Sequence, residues 1–242
     1  MNKRLNIYYW LRKFFVSQVV QKILNKIFFL NQTFLRKIVF FLIYKTNHWN
    51  KYKPIDKKDL LVSGPGSNPN TEQIKNLIIN LNNFIKSNDI RSILDVPCGD
   101  FAWMRHLIEI NNNIQYTGFD IVEEIIKVNN YKYSSNNIKF FSKDILNEKN
   151  FDGYDLVFVR DFFIHISINE ILKVLDMLKK SKIKFFACTS SNDIKFNADI
   201  AIGNHRKINL LIEPFNLTEV FFKFSENKLN DSQYINFYKI KS

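Results

Sequence analysis

The spacing of apolar residues changes near residue 70, and from there on helical and strand-like patterns alternate. Apolar residues three and four positions apart predict helices over 71–86, 121–131 and 169–180. Short apolar runs of the kind that forms strands lie at 92–96, 116–119, 138–141, 155–159 and 183–189. This alternation predicts βαβ units with right-handed crossovers around a parallel sheet.

Two more strand-like runs, 217–224 and 233–240, are joined by a polar turn near the C-terminus. We expect this pair to add an antiparallel edge to the sheet. The predicted fold class is therefore α/β, with a Rossmann-like, doubly wound, mostly parallel sheet of seven strands, an antiparallel C-terminal edge and an N-terminal helical arm.

The first 53 residues differ from the rest of the chain in pattern and in charge. They contain eleven Lys or Arg and no Asp or Glu, whereas the rest has 24 basic and 23 acidic residues. Polar pairs recur about every four residues between positions 12 and 26, with apolar residues between them, which predicts an amphipathic helix. A second apolar segment, 33–44, surrounds Arg36 and Lys37. We therefore divide the chain into a basic amphipathic helical arm, 1–53, and a domain, 54–242.

The sequence disfavours a membrane span and leaves three interpretations of the arm open: a membrane surface, packing on protein, and nucleic acid. A membrane span needs roughly 20 apolar residues. Lys26, Arg36 and Lys37 would each cost up to about 3 kcal/mol in one, so a span is disfavoured. Helices that lie on an anionic membrane surface, through residues 1–45, fit the pattern better. Helices that pack on the domain or on a second subunit fit it nearly as well. Nucleic acid is the least favoured partner, because the domain carries almost no net charge.

Only two cysteines occur, Cys98 and Cys188, far apart in the sequence. This excludes a disulfide framework and a cysteine-based metal cluster, so we expect no metal and a reducing compartment. The first fifteen residues do not have the clean apolar core and small-residue end of a signal peptide. We therefore expect a cytoplasmic protein that can lie on the inner face of the membrane.

A small-residue turn and an acidic residue follow the first two strands, where doubly wound sheets bind their ligands. In the turn after the first strand, Gly99 lets the backbone approach a ligand, and the same turn supplies three further candidates: Asp95, Pro97 and Phe101. Asp120 ends the second strand, next to Ile121, and a carboxylate there can accept both hydroxyls of a ribose.

A matching pair, Asp144 and Ile145, follows the third strand. The carboxylate can accept a hydrogen bond from an adenine amino group while Ile145 packs on the ring. Each signal alone is weak, because glycine turns and capping aspartates are common after strands. Three such features at one edge of the sheet predict a nucleoside cofactor.

The charge of the first turn distinguishes between nucleoside cofactors. A dinucleotide places its pyrophosphate at an exposed helix N-terminus, and Asp100 would put a negative charge beside it. A sulfonium cofactor is positively charged, so Asp95 and Asp100 are compatible with it. The residues therefore favour S-adenosylmethionine over NAD.

The run 92–104 resembles the first motif of a bacterial class I S-adenosylmethionine-dependent methyltransferase family that is associated with glycan and surface-polysaccharide gene sets. Further elements of that family resemble the segments 63–67, 160–165, 203–210 and 214–216. Ala102, His205 and Lys207 differ from the family's usual Asn, Trp and Pro. The resemblance runs from residue 47 to the C-terminus and leaves the arm out. It implies a cofactor role for Arg160 and a substrate role for Asn209.

Methyl transfer is an in-line displacement that depends on positioning and, for a hydroxyl or a protonated amine, on a base. Asp161 and His165 follow the fourth strand, and they would share one face if the chain turned helical there. We expect His165 to be the base and Asp161 to orient His165 or the substrate. Asp161 as a helix cap and His165 as a plain substrate contact are the alternatives. Arg206 is the candidate for an anionic substrate group.

The sequence therefore predicts an S-adenosylmethionine-dependent methyltransferase that acts on oxygen or nitrogen of a sugar, a glycan or another small acceptor near a membrane. Two alternatives remain. One is an NAD-dependent oxidoreductase, and the other is a non-catalytic module of the same fold that binds a membrane or a partner.

Overall fold

The computed structural model describes residues 3–27, 32–50, 63–226 and 232–240. Seven strands form one sheet: β1 Ser92–Asp95, β2 Gln115–Asp120, β3 Ile138–Ser142, β4 Leu156–Val159, β5 Phe185–Ser191, β6 Phe222–Ser225 and β7 Gln233–Lys239. Their order is β3-β2-β1-β4-β5-β7-β6. Of these strands, β7 alone has the opposite direction, so it is antiparallel to both β5 and β6. The predicted fold class is confirmed. The sixth strand begins five residues later than predicted, and part of the predicted turn after it lies outside the described residues.

Seven helices accompany the sheet in the described ranges: α1 Lys3–Val16, α2 Gln18–Ile27, α3 Gln32–Lys45, α4 Glu72–Ser87, α5 Met104–Glu109, α6 Glu123–Tyr133 and α7 Ile168–Lys180. The first predicted arm helix is divided at Ser17, whose hydroxyl accepts a hydrogen bond from the amide of Val20 and caps α2. The predicted boundary between residues 53 and 54 lies outside the described residues.

The core has two layers, because successive residues of a strand point to opposite faces of the sheet. In β4, Val157 and Val159 pack into one cluster, whereas Leu156 and Phe158 pack into the other. Helix α4, capped by the Thr71 hydroxyl, covers the second face.

Helix α3 of the arm belongs to the first of these core clusters. Leu35, Val39 and Ile43 are at most 1% exposed and pack with residues of α7 and of β4. Nearer the N-terminus, in α2, the Gln21 side chain forms hydrogen bonds with both the backbone amide and the carbonyl of Ile202. The inner arm, which consists of α3 and the part of α2 around Gln21, therefore packs on the domain.

The strand ends that carry the site are aligned by the pairing of the sheet. Asp95 pairs with Gly118 of β2 on one side and with Phe158 of β4 on the other. Asp120 pairs with Ser142 at the end of β3. The carboxyl ends of four parallel strands therefore form one edge, where the candidate residues meet.

Candidate active site

A cavity of about 500 Å³ opens at the carboxyl ends of β1, β2, β3 and β4. This volume lies within the range of cofactor and substrate sites. The structure brings most of the candidate residues into its wall: Asp95, Pro97, Gly99, Asp120, Ile121, Asp144, Ile145, Arg160, Asp161 and His165. Phe101, Arg206 and Asn209 are not among the described residues that line it.

Gly99 is required by the turn itself. Its φ is +53°, and an added Cβ would lie 2.3 Å from the Ser63 hydroxyl oxygen. Ser63 and Asp100 bond each other twice, because the Asp100 amide donates to the Ser63 hydroxyl and the Ser63 amide donates to the Asp100 carboxylate. The glycine therefore makes room for a segment of the protein, in addition to any ligand.

Asp120 is 3% exposed and held by two backbone amides. Gly99 N–H donates to one carboxylate oxygen at 3.2 Å, and Val122 N–H donates to the other at 2.9 Å. Burial nevertheless raises the pKa of Asp120 to about 6. Each oxygen keeps lone-pair capacity for a further donor, such as a ribose hydroxyl.

Asp95 is a second buried carboxylate of the cavity. The Tyr116 hydroxyl donates to it at 2.8 Å. Burial raises its pKa to about 7, although Tyr116 and the Arg160 charge act in the opposite direction. A cationic ligand stabilises the ionised form of these two buried acids, and the carboxylates of this site therefore fit a positively charged cofactor.

Asp144 and Ile145 begin the short 3₁₀ turn after β3. The Leu146 amide donates to one oxygen of Asp144, while Arg36 of α3 donates to the other through Nε at 2.9 Å and Nη2 at 2.7 Å. Arg36 also bonds Glu170 of α7. Ile145 is 2% exposed and supplies an apolar surface.

The Phe101 side chain does not lie in the described cavity wall, and its cofactor role stays a prediction. Its φ is +59°, and its ring packs in the core against Tyr116, Tyr133 and Phe140. The Phe101 side chain is 2% exposed and packs beneath the turn. It is not among the described residues that line the cavity.

Arg160 lines the cavity but is held by acids of the protein. Its Nε and Nη2 donate to the fully buried Glu226, and Nη1 lies 3.2 Å from Asp161. Burial alone lowers the pKa of Arg160, but the charges of Asp161 and Glu226 raise it, so the guanidinium stays charged. Its contribution to a cofactor is therefore a fixed positive charge, balanced by neighbours.

His165 is held with one nitrogen available. Its Nδ1 lies 2.8 Å from the carbonyl oxygen of Asn204, and because a carbonyl can only accept, Nδ1 carries the proton and Nε2 is the free base. The Trp49 ring lies 4.6 Å from the imidazole, centroid to centroid. Burial lowers the pKa of His165 to about 4, so the ring is neutral at physiological pH.

The structure shows no hydrogen bond between Asp161 and His165 among the described residues, so the role of Asp161 in orienting His165 stays a prediction. Asp161 has a φ of +54° and stands before a 3₁₀ turn, 163–165, instead of on a helix. Its carboxylate accepts hydrogen bonds from Thr189 and Gln233, whereas Asn204 orients the imidazole. Both side chains still line the same cavity, so a role for Asp161 in holding the substrate remains a prediction.

The substrate roles predicted for Arg206 and Asn209 do not fit the structure either. Arg206 donates to the backbone oxygens of Ala198 and Phe163 at 2.7 and 2.8 Å. Asn209 is 3% exposed and bonds the Ile194 carbonyl and the Leu211 amide. Both side chains hold the loops after β5 in place.

Residues 93–181 match a family model described as a methyltransferase domain. The match covers less than half of the chain and includes β1 to β4 with all candidate residues of the cavity between Asp95 and His165. No curated protein matches the sequence.

Solved structures with the same fold include several methyltransferases. The magnesium protoporphyrin IX methyltransferase ChlM of Synechocystis PCC 6803 with bound SAM has a TM-score of 0.59 at 10% identity, over 85% of this chain and 97% of ChlM. The N-methyltransferase NodS of Bradyrhizobium japonicum WM9, with S-adenosylhomocysteine, has 0.53 at 15% identity, over 72% and 89%. PigF with SAH has 0.52 at 11%, over 67% and 54%, so this chain spans about half of PigF.

The likeness to these structures concerns the fold, and the family model adds the methyltransferase domain. The matched methyltransferase domain is of the enzyme class that the sequence predicts, and the compounds bound in these solved structures, SAM or S-adenosylhomocysteine, are the predicted cofactor or its product.

The sequence prediction missed the part of the cavity wall that comes from the arm: Arg36, Phe40, Tyr44 and Trp49. One signal was available. Arg36 stands with Lys37 in the middle of a mostly apolar helix, and a charge in that position is typical of a buried ion pair as much as of a membrane surface.

Proposed function

We propose that the enzyme transfers a methyl group from S-adenosylmethionine to a hydroxyl oxygen of a neutral, sugar-like acceptor, with His165 as the base. The observation that carries this proposal is the unprotonated Nε2 of a neutral histidine in the wall of the cofactor cavity.

The acids of the cavity support one orientation of the cofactor. Asp144 and Ile145 suit the adenine, Asp120 suits the ribose hydroxyls, and Asp95 suits the positively charged end. Bound S-adenosylmethionine supplies an electrophilic methyl group on a sulfonium. Asp95 lies four residues before Gly99 and interacts with the charge of Arg160, which lines the cavity together with Asp161.

His165 serves the acceptor in this arrangement. Asn204 and the Trp49 ring fix the imidazole, so Nε2 accepts the proton of the acceptor hydroxyl as the oxygen–carbon bond forms and the carbon–sulfur bond breaks. Its low pKa keeps the base form available even in mildly acidic solution. Because His165 is a weak base, it assists a hydroxyl that loses its proton late in the methyl transfer. The positioning of the hydroxyl and the methyl group supplies most of the rate enhancement.

The charge of the cavity favours a neutral acceptor. The cationic side chains of Lys or Arg among its described lining residues each have a carboxylate partner: Arg36 with Asp144 and Glu170, Lys143 with Glu148, and Arg160 with Glu226 and Asp161. An anionic acceptor would compete with these carboxylates for the cationic side chains. Trp49 and Trp103 line the cavity with rings that suit the apolar face of a sugar.

The acceptor class is tested with the full chain and S-adenosylmethionine labelled in the methyl group. We expect alkali-stable label on neutral methyl glycosides or neutral oligosaccharides, little on uronic acids, and at least a hundredfold less label with His165→Gln. The exposed Gln115→Ala is the matched control and should transfer at the wild-type rate. Label that appears only on amines, or only as alkali-labile esters, would contradict the proposed acceptor class, which is a neutral hydroxyl.

We also propose that the outer arm, helix α1 and the exposed face of α2, holds the enzyme on an anionic membrane surface. The exposed large apolar residues of α1 lie at i, i+3, i+4 and i+7, which is one face of the helix: Ile7, Trp10, Leu11 and Phe14. Val19 and Ile23 of α2 are exposed as well. Lys13, Lys22 and Lys37 are exposed near them, whereas Arg12 and Arg36 are buried and unavailable to lipid. No helix of the described residues is long and apolar enough to cross a bilayer.

Flotation with vesicles tests this attachment. Vesicles that contain phosphatidylglycerol should carry the full chain at low salt and release part of it at high salt, because each basic residue contributes about 1 kcal/mol at most. The double variant Trp10→Ser, Phe14→Ser should bind at least tenfold less. Phe196→Ser, which removes an aromatic ring that is 79% exposed outside the arm, is the matched control and should bind as the wild type does. Equal binding by all three proteins contradicts the proposal.

A further inference from the structure

The wall of the cofactor cavity includes one face of α3. Arg36, Phe40 and Tyr44 follow one another at a spacing of four, so they lie on the same face of the helix, and all three line the cavity. At 1.5 Å per residue they extend over about 12 Å. The adjoining face, with Val39 and Ile43, is buried in the core.

The two ends of this face meet two different parts of the site. Arg36 bonds Asp144 at the end predicted for adenine. The Tyr44 hydroxyl lies beside Ser63 and 3.6 Å from the position of a Cβ on Gly99, at the first turn. Phe40 lies between them, with its ring 6.5 Å from that of Phe162. The helix therefore follows the length of the cavity from Asp144 to Gly99.

Arg36 is the polar anchor of this wall. Its side chain is 5% exposed, and those of Asp144 and Glu170 are 4% and 9% exposed. Two of its N–H groups converge on one oxygen of Asp144, and a third reaches Glu170. Since the guanidinium and the Leu146 amide fix both carboxylate oxygens, Asp144 has one orientation in the cavity, and its remaining lone pair has a fixed direction.

We infer that α3 is part of the cofactor site, and that Arg36 is a positioning residue that holds Asp144 in place to accept the 6-amino group of the cofactor's adenine. This inference rests on the proposed orientation of the cofactor. It makes the N-terminal segment a component of the methyltransferase site, where the sequence assigned it to the membrane or to packing.

The test is selectivity for the 6-amino group, measured by calorimetry on the full chain. The probes are S-adenosylhomocysteine and its purine-riboside analogue, which has hydrogen in place of that group. The wild type should bind the amino compound at least tenfold more tightly, as expected for one hydrogen bond to a charged acceptor. Arg36→Lys keeps the charge but cannot supply the planar set of donors, and its preference should fall to about twofold or less.

Lys37→Gln is the matched control, because Lys37 is the next residue of α3, is 52% exposed and pairs only at the surface with Glu123 among the described residues. It should keep the wild-type preference. A folded Arg36→Lys protein with undiminished preference for the amino compound overturns the positioning role, and so does a wild type without any preference.

Hydrogen exchange of the wild type covers the case in which Arg36→Lys does not fold. Saturating S-adenosylhomocysteine should slow exchange of the backbone amides of α3 together with those around Gly99 and Asp120. Slowing at Gly99 and Asp120 with α3 unchanged contradicts the inference while the cofactor assignment stands. A wild type that binds neither compound contradicts the cofactor assignment itself.

Discussion

Replacing Asp120 by Asn should separate the stability of the fold from the affinity for the cofactor. Burial raises the pKa of this carboxyl from 3.8 to about 6 in the folded protein. An acid whose folded-state pKa is raised favours folding at low pH, and that contribution is lost as the pH rises from about 4 through about 6. At pH 7.5 the ionised carboxylate therefore costs the ligand-free fold about 3 kcal/mol.

Asp120→Asn removes this cost but adds another. The carboxylate accepts the amides of Gly99 and Val122, and a carboxamide oxygen can serve only one of them well, which costs about 1–3 kcal/mol. The variant should therefore unfold in urea at pH 7.5 with a free energy equal to that of the wild type or up to about 2 kcal/mol greater. Its affinity for S-adenosylhomocysteine should fall about thirtyfold, since a hydrogen bond to a charged acceptor contributes about 2 kcal/mol.

The assays are urea unfolding of the ligand-free protein and calorimetric titration with S-adenosylhomocysteine. Asp176→Asn is the matched control, because Asp176 is 59% exposed and pairs with Lys180 at the surface, and it should change neither quantity by more than about 0.5 kcal/mol. Wild-type affinity in Asp120→Asn would refute the ribose assignment. A loss of several kcal/mol of stability would refute the argument about burial.

Three further outcomes follow from the structure. Affinity of the wild type for S-adenosylhomocysteine should fall as the pH drops below about 6, where Asp120 gains a proton, and calorimetry between pH 5 and 8 should show no such step in Asp120→Asn. Arg206→Ala should lower the free energy of unfolding by about 2–4 kcal/mol, because two buried carbonyls lose their donor, while the acceptor KM stays unchanged. A chain that starts at residue 54 should fail to unfold cooperatively in urea, because it lacks the buried face of α3, each large residue of which contributes about 2–5 kcal/mol to a total of 5–15.

Local chemistry made part of the site predictable. Asp95, Asp120 and Asp144 each end or follow a strand, and parallel strands bring their carboxyl ends to one edge whatever the details of packing. His165 was found by the same argument, since it follows β4 by a few residues. The order of strands and helices depends on periodicity within short segments. That order was therefore predictable, and most boundaries of the strands were predictable to within a few residues.

The remainder depends on contacts between distant segments. Arg36 meets Asp144 across 108 positions, and nothing in the sequence around either residue specifies the other. The Phe101 side chain packs in the core at a residue of positive φ, and periodicity contains no information on φ. Arg206 has the fork that suits an anionic substrate, but the same donors suit the backbone carbonyls that the folded loops bring to it.

The central claim is that S-adenosylmethionine occupies the cavity along the ends of β1, β2 and β3. Calorimetric titration of the full chain with S-adenosylmethionine, S-adenosylhomocysteine and NAD tests it most directly. We expect one site per chain for the first two compounds, with affinity about thirtyfold lower in Asp120→Asn, and no binding of NAD. Binding of NAD with the sulfur compounds excluded, or no binding of any of the three, would contradict it.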